Sequence, residues 1–354
     1  MKDIENSNHN YGVDLLRIIA MLMIISHHIF IHGGIDTDCI TGAKLLFLKG
    51  MLPLGGKTGV NAFVLITGYY LCKSQSINIP KLKMMIVKVT MFSVFLSGLA
   101  IVFGAAPLSK KLLLKALVPV LFGNNYWFVI TYIELMLIAP LLNMIIKEID
   151  QKRFQIFIIG SIILLCIMPT FIGAFIEVND FGNSNIVWFI LIYFLGAYFR
   201  KYGTIIKKKY ILGAGLFLAI GVHLITSVLG LVVEENTFIS KILSCFANYD
   251  LNALMPLVIA TGLFLLCLQS RISGGAFLRL IGKSTFGVYL FHDNVNFRTY
   301  LWNSVFRLNE ASNSQFFILY LLIVIGVVFI MGCVMDIIVT YIITKISEIV
   351  KVKS

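Results

Sequence analysis

The stretch from Gly12 to Gly34, GVDLLRIIAMLMIISHHIFIHGG, decides the fold of this protein. It is long and apolar enough to cross a bilayer, which takes about 20 mostly apolar residues. It nevertheless contains an aspartate, an arginine and three histidines. Ionisable residues inside a membrane span usually face the interior of a helix bundle or a water-filled path. The segment therefore predicts a membrane helix with one functional face.

The composition excludes a large soluble domain. Of the 354 residues, 59% are hydrophobic and 13% are charged, whereas soluble domains have about 25% charged residues. The chain is therefore interpreted as one integral-membrane domain over 1–354. Its net charge of +12 is assigned to loops that orient the helices. The basic residues form no nucleic-acid motif, so nucleic acid is not an expected partner.

The apolar segments predict an all-α, polytopic membrane protein in which about ten transmembrane helices form one bundle around a polar cavity. The stretch KKLLLKALVPVLFG, Lys110 to Gly123, is too short and too basic to span, and is expected at the interface. The ten predicted spans are 13–32, 55–72, 84–105, 125–146, 154–175, 185–199, 210–232, 251–269, 276–293 and 315–343.

Loop charge predicts the orientation. Most Lys and Arg residues fall in the loops on the side of the N-terminus, which favours a cytoplasmic location for both termini. The predicted cytoplasmic tails are then 1–11, in which His9 is expected to be solvated, and 345–354. The membrane is expected to be a bacterial cell membrane. The N-terminus lacks the features of a signal peptide. None of the six cysteines forms a CxxC pair, so neither a metal site nor a disulfide framework is expected.

Helical geometry places three charged residues of the first span on one face. Arg17 and His28 are eleven residues apart, which is about 20° past three full turns and about 16 Å along the axis. Asp14, three residues before Arg17, can pair with its guanidinium. This predicts a cavity wall in which Arg17 holds an anion and His28 moves a proton. The alternative is that Arg17 reaches lipid headgroups and His28 is a satisfied core histidine.

Other polar residues in spans are weaker candidates for the same site. Asn61, Tyr126 and Trp127 are predicted to line the cavity, although the two aromatic residues suit packing or interface anchoring equally well. Glu134 in mid-span is neutral, paired or in the cavity. His292, at the end of a span, lies either at the outer interface or on the substrate side.

Four stretches, in order, resemble segments of the integral-membrane acyltransferase 3 family. DLLRIIAMLMIISHH resembles the first helix of the family, in which ten residues separate a basic residue from a histidine; Arg17 and His28 have this spacing, and His27 does not. GVNAFVLITGYYL resembles the second helix, YWFVITYIELMLIAPLLN a Trp-Phe…Tyr…Pro-Leu-Leu segment, and IGKSTFGVYLFH a late helix that ends in Tyr-Leu-x-His.

The resemblance implies about ten spans and acyl transfer from cytosolic acetyl-CoA, or a related acyl-CoA, to a carbohydrate acceptor, possibly lipid-linked. The donor is a substrate, so no bound cofactor is expected. Many members have an Arg-x-x-Arg motif at the third helix that is proposed to bind the donor. Here the stretch is KLKMMIVKV, in which Lys88 stands for the second arginine and Met85 occupies the first position.

Two other functions use the same residues. A proton-coupled transporter or flippase could use Asp14, Arg17, His28 and Glu134 as a relay, although the chain has none of the internal repeats frequent in transporters. A membrane sensor could retain the fold without the chemistry, but the intact Arg17 and His28 pair argues against it. O-acyl transfer to a cell-surface polysaccharide or its precursor is the favoured hypothesis.

Overall fold

The computed structural model describes residues 9–38, 40–121, 126–176, 184–204, 206–270 and 272–353, and all its regular structure is helical. Of the predicted N-terminal tail, 1–8 lie outside the described residues. The helices are α1 Tyr11–His32, α2 Gly42–Leu46, α3 Leu52–Leu71, α4 Ile79–Val102, α5 Lys110–Leu117, α6 Trp127–Glu148, α7 Gln151–Ile162, α8 Asn185–Tyr202, α9 Lys209–Gly230, α10 Phe238–Ala247, α11 Leu254–Gln269, α12 Ala276–His292, α13 Arg298–Tyr300, α14 Leu308–Ala311 and α15 Phe317–Lys353.

Six helices are long and apolar enough to span a membrane: α1, α4, α6, α7 with its π-helical continuation to Ile172, α9 and α15. Four further predicted spans form α3, α8, α11 and α12, but α11 and α12 have only 16 and 17 residues. α3 and α8 bury much of their surface against other helices, and a helix that faces protein does not need a lipid-like composition. Ten spans therefore stays a prediction.

The N-terminal part of α3 differs from the sequence prediction. The helix begins at Leu52 rather than at 55, and Lys57, which the predicted span 55–72 already contains, is half-buried in it. The loop-charge count behind the predicted orientation nevertheless includes Lys57 among the basic residues of the outer side. Lys57 is not a loop residue in the structure, and the glycines beside it permit close packing of α3 against α1.

Short segments and cysteines fit the remaining expectations in part. α5 is an eight-residue helix, and 122–125 of the stretch predicted to lie at the interface fall outside the described residues. Cys39 is likewise not described, and the other five cysteines are buried and free. They act as small packing residues.

α1 and α3 cross closely because glycines on α3 face the α1 backbone. A Cβ on Gly55 would lie 2.2 Å from the Met23 carbonyl oxygen, and one on Gly59 would lie 2.5 Å from that of Ala20. The residue numbers of these contacts increase along α3 while they decrease along α1, so the two helices are antiparallel. Small residues allow such backbone approach in membrane helices. The C-terminal end of α3 therefore lies beside the N-terminal end of α1.

Gly68 provides a test of this packing. A Cβ there would lie 2.2 Å from the Tyr193 carbonyl oxygen on α8, and backbone yields less readily than a side chain. We expect Gly68→Ala to destabilise the protein by about 1–3 kcal/mol, measured as a lower unfolding midpoint in detergent. Gly98→Ala in α4 is the matched control, because its Cβ would have nothing within 4 Å. Equal loss in both variants would contradict the packing argument.

α12 accepts a carboxylate on each of two sides. A Cβ on Gly282 would lie 2.8 Å from the Asp14 Cβ of α1, and a Cβ on Gly287 would lie 2.2 Å from the Asp336 Oδ1 of α15. Both carboxylates are buried. The glycines of the IGKSTFGVYLFH segment thus let α12 fit between two charged helices and position both charges.

Candidate functional site

A cavity of about 330 Å³ lies among α1, α3, α4, α6 and α12. Apolar and aromatic side chains alternate in its wall with five cationic ones: Arg17, Lys57, Lys81, Lys88 and Lys283. The wall is thus mixed rather than polar throughout, and the predicted polar cavity stays a prediction. A cavity of this kind suits a ligand with an anionic part and a less polar arm.

Arg17 and His28 both line this cavity. Met21 and Ile24 lie between them on α1 and line it as well. The spacing of four, three and four residues is that of one helical stripe. The two polar side chains are therefore separated by about 16 Å of mostly apolar wall.

The Arg17 end contains a buried carboxylate with two partners. The Arg17 guanidinium donates to Asp14 Oδ1 at 2.7 Å, and the His9 imidazole contacts the other oxygen of Asp14. Asp14 has no exposed surface and does not line the cavity, whereas Arg17 is 27% exposed. Asp14 therefore orients Arg17. The prediction that His9 is solvated is wrong, because its imidazole contacts the buried carboxylate of Asp14.

The His28 end contains a cluster that the sequence analysis missed. Asp293, directly after α12, is buried, and its Oδ1 accepts a hydrogen bond from the Arg298 guanidinium at 3.0 Å. The same oxygen lies 3.7 Å from His28 Nδ1 and 4.0 Å from His32 Nε2. These distances are too long for hydrogen bonds, but the charge acts across them. The signal in the sequence was an acid directly following His292.

His292 packs against this cluster rather than lining the cavity. Its Nδ1 lies 2.6 Å from the Val288 carbonyl oxygen, one turn back on α12. Its ring centroid lies 5.0 Å from that of His28. His292 therefore supports the position of the His28 ring. No group of three metal-ligating side chains occurs in the described part of the chain.

Lys57 and Trp127 form the cavity wall beside the histidines. The Lys57 ammonium lies 4.5 Å from the centre of the Trp127 ring, a cation–π contact. His27, on the same side, has its Nδ1 2.9 Å from the Pro53 carbonyl oxygen. Trp127 is a predicted lining residue, whereas Lys57 is counted with the loop charges and is therefore not among the predicted site residues.

Lys88 lines the cavity with its charge partly neutralised. Its ammonium donates to Asp336 Oδ1 at 2.8 Å, which joins α4 to α15. Met85 and Lys81 line the wall nearby. The position of the second motif arginine is thus occupied by a paired lysine, while Lys81 adds a cation without the fork of an arginine.

Besides Asp14 and His292, three more predicted candidates lie away from the cavity wall. The Asn61 amide donates to the Leu251 carbonyl and accepts from the Trp188 indole. The Tyr126 hydroxyl donates to the Leu290 carbonyl and accepts from Asn294. Both side chains are buried and join helices. Glu134 is exposed on the outer side of α6.

Asp293 is expected to affect turnover through His28. A unit charge about 4 Å away contributes about 4 kcal/mol at an effective dielectric constant near 20, part of which Arg298 offsets. We expect Asp293→Asn to lower kcat by about tenfold to a hundredfold. The KM of the predicted donor should stay unchanged, because the anion site predicted at Arg17 is distant. Steady-state acyl-transfer kinetics measure both constants.

The matched variant for this prediction is Asp293→Glu. It retains the negative charge between Arg298 and the imidazoles and should restore part of kcat. A purely structural role would instead reduce the amount of folded protein in both variants. Equal kcat in Asp293→Asn and the wild type would exclude the positioning role.

The comparisons with known proteins identify the family of this chain. The model described as "Acyltransferase domain", Acyl_transf_3, matches residues 10–333. No curated protein and no solved structure matches the chain. The match includes α1, with Arg17 and His28, and continues into α15, so it covers every helix that contributes to the cavity wall. The chain therefore belongs to the acyltransferase 3 family of membrane acyltransferases.

Proposed function

We propose that this protein is an O-acyltransferase that moves an acyl group, acetyl by the family resemblance, from cytosolic acyl-CoA to a hydroxyl of a cell-surface polysaccharide or its lipid-linked precursor. The observation that supports this most directly is that Arg17 and His28 line the same cavity, about 16 Å apart along α1. An extended acyl-CoA needs a cationic anchor for its phosphates at one end and a reaction centre for its thioester at the other. The apolar wall between them suits the uncharged arm.

In the proposed reaction His28 is the general base. A sugar hydroxyl is a poor nucleophile at neutral pH and needs a base in contact with it. His28 takes the hydroxyl proton while the oxygen forms a bond to the thioester carbon. The carbon–sulfur bond then breaks, and the imidazolium returns the proton to the departing thiolate. Asp293 stabilises the imidazolium between these steps.

The negative charge that develops on the thioester oxygen needs a partner. Lys57 is the cation of the cavity wall nearest to the histidines, and its contact with Trp127 holds it in the wall. An ordered cation in a water-poor site stabilises an oxyanion without reorganising during the reaction. A route in which His28 first accepts the acyl group uses the same residues.

The proposal is tested on cells. Ester-linked acyl groups on the surface polysaccharide are measured in cells with the wild-type protein, without it, and with His28→Ala. Loss of one specific O-acyl group in both altered strains, with His28→Ala present in the membrane at wild-type level, supports the proposal and identifies the acceptor. Unchanged acylation in the null strain contradicts it and favours the transporter reading.

A further inference from the structure

A second cavity lies at the ends of three helices, apart from the cavity lined by Arg17 and His28, which is called the reaction cavity below. It has a volume of about 560 Å³ and lies at the C-terminal ends of α3, α6 and α8. Its wall shares no residue with that of the reaction cavity. It is thus a separate site to which nothing described so far assigns a ligand.

Four cations contribute to the wall of this second cavity: Lys73, Lys147, Arg200 and Lys201. No aspartate or glutamate lines it among the described residues. Glu148 is the acid paired with one of these cations, at 3.9 Å from the Lys147 ammonium, and both side chains are more than 70% exposed. Such exposed pairs contribute little. The cavity therefore retains a strong positive potential.

Some of its polar groups have structural roles and others remain available. The Lys201 ammonium donates to the carbonyls of Ile146, Lys147 and Ile149 at the end of α6. The Arg200 guanidinium lies over the Tyr69 ring. Lys73, by contrast, has no hydrogen bond or ion pair with any described residue. Lys73 and Lys147 can therefore reach a ligand without loss of a helix contact.

Part of the cavity wall is apolar and belongs to α6, next to exposed apolar residues of the same helix. Pro140 and Met144 line it, and Met144 is 66% exposed. Leu141 and Ile145 on the same helix are also exposed. A ligand with an anionic head and apolar chains could contact the cations and this surface together.

The second cavity lies at the same end of the bundle as Arg17. α1 and α3 are antiparallel, so the C-terminal end of α3 adjoins the N-terminal end of α1. The Arg200 guanidinium also donates to the Tyr69 hydroxyl near the end of α3. Loop charge predicts that this end is cytoplasmic, where anionic lipids attract clustered basic residues.

We propose that this second cavity binds the phosphate headgroup of an anionic phospholipid, whose acyl chains lie along the exposed face of α6. Binding would stabilise the meeting point of α3, α6 and α8. The inference does not rest on acyl transfer, since it uses none of the residues assigned to the reaction.

The test measures lipid affinity with a fluorescent phosphatidylglycerol and the purified full-length protein in neutral detergent. Replacing two surface cations should weaken binding by about 20- to 30-fold, so Lys73→Gln/Lys147→Gln is compared with the wild type. The control is Lys207→Gln/Lys209→Gln, which removes the same charge from exposed lysines just beyond α8. Expected are wild-type affinity in the control and loss in the cavity variant alone.

Two further probes separate a lipid from other phosphates. Phosphatidylcholine of the same chain length should bind weakly and equally in all three proteins. Adenosine 3′,5′-bisphosphate, which has phosphates but no acyl chains, should not displace the labelled lipid. Equal loss in the cavity and control variants, or displacement by the bisphosphate, would overturn the proposal.

Discussion

His28→Gln is expected to lower the turnover number of acyl transfer by about 10²- to 10⁴-fold, the usual contribution of a general base. Glutamine has a similar size and can still form hydrogen bonds, but it cannot take a proton from a sugar hydroxyl. Donor binding should remain, because Arg17 lies about 16 Å away along α1. The measurement combines steady-state kinetics with equilibrium binding of labelled acyl-CoA to purified protein.

The control for this prediction is His223→Asn. His223 is another buried histidine of a membrane helix, but it lies outside the cavity and holds the Phe246 carbonyl through Nδ1, a contact that asparagine can replace. Its turnover should remain that of the wild type. Full turnover in a His28→Gln protein that binds acyl-CoA would exclude His28 as the base. Acyl label that stays on the wild-type protein without acceptor would favour an acyl-histidine route.

Arg17→Gln is expected to raise the KM of the acyl donor about tenfold to a hundredfold, the equivalent of one hydrogen bond to a charged group. The glutamine amide can still donate to Asp14, which limits damage to folding. Turnover at saturating donor should change much less, since Arg17 is remote from His28. The KM of Arg17→Lys should lie between those of the wild type and Arg17→Gln, because lysine keeps the charge but lacks the paired N–H donors of the guanidinium.

Arg153→Gln provides the matched control for Arg17. Arg153 pairs with Asp150 three residues earlier, as Arg17 pairs with Asp14, but both Arg153 and Asp150 are exposed. The control should leave the KM unchanged. A KM in Arg17→Gln equal to that of the wild type would show that the donor is held elsewhere, with Lys81 and Lys283 as the remaining cations of the cavity wall.

The sequence predicted the placement of Arg17 and His28 because both lie on one regular helix. Within a helix, spacing determines direction, so the shared stripe followed from the numbers alone. The same reasoning located a helix at each of the ten predicted spans. It could not decide how many of them face lipid, because α3 and α8 are covered by other helices in a way that only the tertiary structure shows.

The missed residues share a physical cause: they act across helices. Asp293 approaches His28 from the end of α12, and Lys57 of α3 lies over the ring of Trp127 in α6. Asn61 and Tyr126 looked like cavity residues because buried polar groups suit a site. The structure shows their hydrogen bonds satisfied by partners about 130–190 residues distant in the chain, which a pattern of neighbours cannot reveal.

The two glycines of α12 affect the positions of charged side chains on the neighbouring helices. Gly282 and Gly287 are five residues apart, so they point about 140° away from each other around the helix. Each leaves a notch that fits one carboxylate, Asp14 on one side and Asp336 on the other. Arg17 pairs with Asp14, and Lys88 pairs with Asp336. The locations of both cations thus depend on the lack of a side chain at Gly282 and at Gly287. A methyl group at Gly282 or Gly287 would therefore displace Arg17 or Lys88 in the cavity wall, although no charged residue is replaced.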